Sequence, residues 1–126
     1  QEFVVADRWW TSTFVYQCML EGIDVSRLEA TIHPEEKIDF VVVLKADFQT
    51  MLSRIRKDRA EDPSHGNCSW IQQEESLKKI KDIYENEFRK YLTSKGIPVY
   101  YMNTDKMTPE MVLDEFLKLK DFYGRK

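Results

Sequence analysis

An α/β domain, with a parallel sheet covered by helices, is the fold class this sequence predicts, and three observations carry it. Phe40-Val41-Val42-Val43-Leu44 is an unbroken apolar run rich in β-branched residues, as in a strand covered on both faces. Ile97 to Met102 is a second such run. Around them lie stretches with apolar residues at helical spacing, so strand and helix alternate along the chain as they do in parallel sheets.

The first element expected is a strand over Gln1 to Ala6, which opens the sequence without a methionine, a flexible leader or a turn, so that further chain is expected before it. Trp10 to Leu20 is expected to be helical, with Gly22 where a C-terminal cap belongs. A short helix fits Asp24 to Ile32, with Val25, Leu28 and Ile32 at helical spacing, and His33-Pro34 ends it. After the Phe40–Leu44 strand, Asp47 is a cap for a helix with Phe48, Met51, Leu52 and Ile55 on one stripe and Arg54, Arg56, Lys57 and Arg59 crowding its end. Ala60 to Ser69 lacks periodicity and holds Asp62-Pro63, Ser64 and Gly66, which predicts a mobile loop between helices and a lid over about 56–70. One long amphipathic helix is expected from Ile71 to Leu92, ended by Lys95-Gly96. Then come the strand Ile97–Met102 and a last helix capped by Thr108, with Pro109 in its first turn, running to about Tyr123. No internal repeat divides the chain, so residues 1–126 read as a single domain.

Composition narrows the function classes. The 126 residues are 42% hydrophobic and 33% charged with a net charge of -3, which excludes disorder as a whole-chain description and argues against a general binder of nucleic acid or of a membrane surface. No apolar run approaches the ~20 residues of a membrane helix. Cys18 and Cys68 have no partner at metal-ligand spacing, so neither a zinc site nor a disulfide framework is signalled, and a reducing, cytoplasmic setting is expected.

Ligands of open parallel sheets bind at the carboxyl ends of the strands, where Asp7-Arg8 and the hydroxyls Thr11-Ser12-Thr13 are expected. A carboxylate there can hold hydrated Mg²⁺, and the guanidinium beside it can clamp a phosphate bidentately. The same pair also suits a plain helix cap. Arg54, Arg56 and Arg59 beside a Gly/Pro/Ser loop could neutralise a transferring phosphoryl group, although a basic helix end also offsets the helix dipole. Trp9, Trp10 and Phe14 read more readily as core than as a base-stacking platform, with Tyr16 singled out from them. His33 and His65 have no nucleophile or ligand partners and read as structural or solvated. Asn103-Thr104-Asp105 could contact a ligand at the sheet top or simply form a turn.

The segment Asp7-Arg8-Trp9-Trp10-Thr11-Ser12-Thr13-Phe14-Val15-Tyr16-Gln17 resembles the Asp-Arg-Tyr motif and following Ser and Ala-Tyr-Gln of the thymidylate kinases, P-loop nucleoside monophosphate kinases. Arg54-Ile55-Arg56-Lys57 is similar to that family's arginine run entering the lid, and Tyr100 to Asp105 to its strand and loop near the ATP base. The resemblance spans nearly the whole chain and covers the family's C-terminal part, in a three-layer P-loop kinase-type fold. It implies ATP-dependent phosphorylation of a nucleoside monophosphate, dTMP to dTDP before others, with Mg²⁺ and a homodimer, and no nucleic-acid or membrane partner. Carried over, Arg8 orients the acceptor phosphate and Asp7 assists through the metal or its water. Ser12, Thr13 and Gln17 lie along the acceptor nucleotide, and Tyr16 sits under its sugar. Arg54, Arg56 and Arg59 are the lid arginines, and Asn103, Thr104 and Lys106 lie at the ATP side.

The sequence also departs from the family. No G-x-x-x-x-G-K-[ST] occurs and only four glycines are present, so the phosphate-cradling loop is not among these residues and would lie before Gln1. Lys45 stands where an Asp is usual, Asp58 interrupts the lid's basic run and Gln72 replaces an acidic lid residue. A deoxynucleoside kinase is the nearest rival. A non-catalytic kinase remnant that pairs with a separate P-loop chain is the alternative from another class.

Overall fold

The computed structural model describes residues 3–32, 37–61 and 74–124, with the backbone alone at 59–61. His33, the lid loop from 62 onward with His65 and Cys68, and Gln72 lie outside the described residues. The elements are α1 (Trp10–Thr13), a π-helical stretch (Phe14–Leu20), α2 (Val25–Thr31), β1 (Val41–Lys45), α3 (Phe48–Glu61), α4 (Glu74–Glu85), α5 (Glu87–Ser94), β2 (Val99–Asn103) and α6 (Pro109–Gly124).

Strands β1 and β2 pair in parallel, in register from Val41 with Val99 to Lys45 with Asn103, so the described residues form an α/β arrangement on a two-stranded sheet. Helices pack on both faces. Val41, Val43 and Val99 lie against a core of Phe14, Val15, Leu28, Ile80, Ile83 and Leu92, and Tyr101 donates its hydroxyl proton to the Tyr84 carbonyl of α4. Toward α6, the Tyr123 ring lies 5.1 Å from Phe40 and 5.5 Å from Tyr100, centroid to centroid.

Local chemistry sets the boundaries. Asp24 caps α2 by accepting from the Ser26 N–H at 2.9 Å, Asp47 caps α3 through the Thr50 N–H at 2.8 Å, and Thr108 caps α6 through the Met111 N–H at 3.2 Å. Gly22 and Gly96 follow their helices at φ 76° and 74°, the left-handed region in which glycine alone escapes a Cβ penalty.

Three expectations are corrected. Of the expected first strand the structure describes Phe3–Ala6, which forms no strand: it is exposed, and among the described residues β1 and β2 pair only with each other. The helix after it widens into a π-helix from Phe14. The long helix is two, broken at Asn86, whose φ of -119° and ψ of -80° leave the helical region while its side-chain amide donates to the Asp82 carbonyl at 3.0 Å.

Candidate functional site

Among the described residues, Arg8 is the one non-glycine residue at positive φ, 60°. That conformation costs an arginine ~1–2 kcal/mol. Strain of this kind collects at functional sites, where surrounding contacts over-determine it. The contact here is Tyr16, whose ring centre lies 5.4 Å from the guanidinium carbon. Tyr16 in turn meets Tyr84 edge-on, with ring centroids 6.4 Å apart. Burial, and next the Tyr84 phenol, push the Tyr16 hydroxyl up to about 12, against the pull of Arg8, so it is a neutral hydrogen-bonding group at any physiological pH. The π-helix carries Tyr16, and such widened turns recur at functional sites.

These residues stand on a cleft of about 1390 Å³ between the Phe3–Trp9 segment and β1. Asp7, Arg8, Ser12 and Tyr16 all line it, although no strand precedes Asp7 among the described residues, and Lys45 at the carboxyl end of β1 joins them. Thr13 and Gln17 are half-buried and do not line the cleft. Sequence reasoning missed the contribution of α4, which brings Tyr84, Lys81 and Glu85 to the same space. Tyr84 reads as core from its helical spacing, and only its polar tip hinted otherwise.

A second cluster occupies the carboxyl edge of the sheet. Arg54 donates from Nη1 to Thr104 Oγ1 at 2.9 Å and from Nη2 to the Thr104 carbonyl at 2.8 Å, while Thr104 Oγ1 donates to the Lys45 carbonyl at 3.1 Å. Asp105 Oδ1 accepts from the Asp47 N–H at 2.9 Å, and Asn103 Oδ1 from the Asp105 N–H at 3.0 Å. Arg54 therefore ties α3 to the loop leaving β2. Arg56 is exposed, with its guanidinium 3.9 Å from Glu74, and Lys106 is exposed beside the Asn103–Asp105 turn. Arg59 belongs to α3, with its side chain outside the described residues.

No group of three or more His, Cys, Asp or Glu side chains suited to a metal occurs among the described residues. The Asp7 carboxylate, next to Arg8 on the cleft, fits Mg²⁺ held through water, since that ion keeps several waters and takes most remaining ligands from substrate phosphates. No helix among the described residues is long and apolar enough to cross a membrane.

Compared with known proteins, the chain matches no family model, no curated protein and no solved structure.

Proposed function

We propose that this chain forms the acceptor and lid side of a P-loop nucleoside monophosphate kinase of the thymidylate kinase type, in the three-layer fold of that family, acting on dTMP to give dTDP at the expense of ATP with Mg²⁺. The observation that supports it is Arg8, held at φ 60° over Tyr16 beside Asp7 and Ser12 on one cleft. Phosphoryl transfer is mostly positioning and charge neutralisation, which that group supplies. Arg8 orients the acceptor phosphate, Ser12 and Tyr16 lie along its sugar, and Asp7 holds a water of the Mg²⁺ shell. When bound, Mg²⁺ neutralises phosphate oxygens. Arg54 and Thr104, with Asn103 and Lys106, form the edge that meets the ATP base, and Arg56 and Arg59 are the lid arginines. With no G-x-x-x-x-G-K-[ST] among the 126 residues, the ATP phosphates are cradled by another stretch of polypeptide. The working protein is a cytoplasmic homodimer.

The test is equilibrium binding of dTMP to the chain, followed by the fluorescence of Trp9, which lines the cleft. Saturable binding is expected. Arg8→Ala weakens it by about tenfold or more, as loss of a charge-assisted phosphate contact worth roughly 1.5–3 kcal/mol requires. Thymidine binding as tightly as dTMP would point to a deoxynucleoside kinase instead, and no saturable binding of either would sink the reading.

A further inference from the structure

A smaller pocket of about 190 Å³ opens where α4 and α5 meet the sheet, lined by Lys45, Glu85, Arg89 and Tyr101. Side chains alternate along a strand, so Lys45 falls on the same face as Val41 and Val43, which lie against the core. Tyr101, the register partner of Val43, shares that face and donates its hydroxyl proton to the Tyr84 carbonyl. Glu85 ends α4 and Arg89 belongs to α5, on either side of the break at Asn86. Lys45 and Glu85 also border the larger cleft, whereas Arg89 and Tyr101 do not.

Lys81 pairs with Glu85 at 2.5 Å, which takes up the one carboxylate of the lining. Asp47 also feels Lys81, but its carboxyl is spent on the Thr50 N–H. Lys45 and Arg89 have no ion-pair partner among the described residues. The surplus charge is positive, and it favours a dianion over a monoanion. The Arg89 guanidinium carbon stands over the Tyr101 ring, 5.5 Å from its centre. A guanidinium over a ring keeps its N–H donors at its edge, where they meet phosphoryl or carboxylate oxygens in pairs. Burial first of all pushes the Tyr101 hydroxyl up, so it stays protonated and brings no negative charge. A volume below the ~300–1,000 Å³ of sites for drug-sized ligands suits a compact anion and not a nucleotide.

We propose that this pocket is a second anion site, in which Lys45 and Arg89 hold a phosphoryl dianion apart from the one taken beside Arg8, either free orthophosphate or the phosphoryl end of a small monoester. Arg89 supplies its edge N–H groups, Lys45 adds a point charge, and Glu85 restrains the affinity by repulsion. None of these groups is Arg8 or its ring partner, so loss of dTMP binding and loss of phosphate binding are separate results.

The probe is inorganic phosphate, titrated into the chain at constant ionic strength with chloride as the control, and the readout is the chemical shift of the Lys45 and Glu85 amides and of the Arg89 side-chain Nε–H. A saturable shift with phosphate and none with chloride is expected. Lys45→Met and Arg89→Gln each weaken binding by about tenfold or more, and Glu85→Gln strengthens it. Arg89 is exposed, so its variant reports binding and not folding. Arg8→Ala leaves the phosphate response as it is, and Arg89→Gln leaves the dTMP affinity within about twofold of its starting value. Methyl phosphate separates the two sources: affinity equal to that of orthophosphate means that the pocket takes the phosphoryl end of a monoester, and much weaker affinity means that it takes the free ion. The absence of a saturable shift overturns the proposal, as does an equal response to chloride. So does unchanged affinity in both Lys45→Met and Arg89→Gln, or displacement of orthophosphate from Arg89 by dTMP, which would make the two anion sites one.

Discussion

The core built from the π-helix, α2, α4 and α5 is closed, whereas the cleft between Phe3–Trp9 and β1, which the π-helix and α4 also line, is open. On the closed flank Val15 and Leu92 are fully buried, Phe14 stacks on Tyr91 at 4.2 Å between centroids, and Lys95 pairs with Glu29 at 3.1 Å. On the open flank Val4, Val5 and Leu44 face the cleft and the strained Arg8 leans on one ring. The difference separates two jobs. Packing supplies stability on one side, and the other leaves apolar surface uncovered.

The largest expected effect breaks the closed side. Leu92→Ala should cost about 2–5 kcal/mol in urea denaturation, the range for emptying a buried leucine site. Leu44→Ala on the open side should cost less than about 1 kcal/mol, since its side chain is mostly in water already. Equal losses would erase the distinction.

Next comes the carboxyl edge. Thr104→Val keeps the shape of a buried side chain but deprives Arg54 Nη1 of its acceptor and the Lys45 carbonyl of a donor. A loss of about 1–3 kcal/mol is expected. A neutral outcome would show that Arg54 finds water or ligand there instead.

Arg8 sharpens the comparison further. Arg8→Gly and Arg8→Ala both remove the guanidinium, and glycine alone accepts φ 60° freely, so the glycine variant should be the more stable by about 1 kcal/mol. Both should lose dTMP binding alike. Identical urea midpoints would mean that the backbone relaxes once the ring contact is gone.

The smallest effects are in pH. Asp24 and Asp47 accept backbone N–H bonds from Ser26 and Thr50, which hold both carboxyls below their usual range. A lowered native pKa means the unfolded chain takes up protons first, so this stability is present above the ordinary carboxylate range and is lost as the pH falls through the native values. Tyr16 runs the opposite way: its hydroxyl is raised to about 12, so its contribution is complete below the ordinary tyrosine pKa of about 10 and is lost as the pH rises toward 12. Thermal melts across both windows check the signs, and Tyr16→Phe should make the alkaline limb shallower without touching the acid limb, the remainder coming from Tyr91 and Tyr101, whose hydroxyls burial also pushes up.

Much of this was legible in the sequence, for local reasons. The β-branched runs became β1 and β2, and Asp24, Asp47, Thr108, Gly22 and Gly96 end their helices as their chemistry dictates. Asp7, Arg8, Ser12 and Tyr16 do line one cleft. What failed was non-local. The pattern of Phe3–Ala6 reports a preference for burial beside another strand, but not whether that neighbour is present. The break at Asn86 is a departure of one residue's backbone from helical angles within a seamless apolar stripe, with its N–H and its side-chain amide both donating to the Asp82 carbonyl. That Arg54 is spent on Thr104 and that Tyr84 reaches the cleft depend on helices meeting across long sequence separations, which spacing alone does not encode.

The most direct measurement is a dTMP titration followed by amide chemical shifts over the whole chain. The account predicts that the largest changes fall on Arg8 to Ser12, Tyr16 and Lys45 around the mouth of the cleft, and that they vanish in Arg8→Ala. Shifts confined to the Arg54–Thr104 edge, or shifts that survive intact in Arg8→Ala, would contradict it.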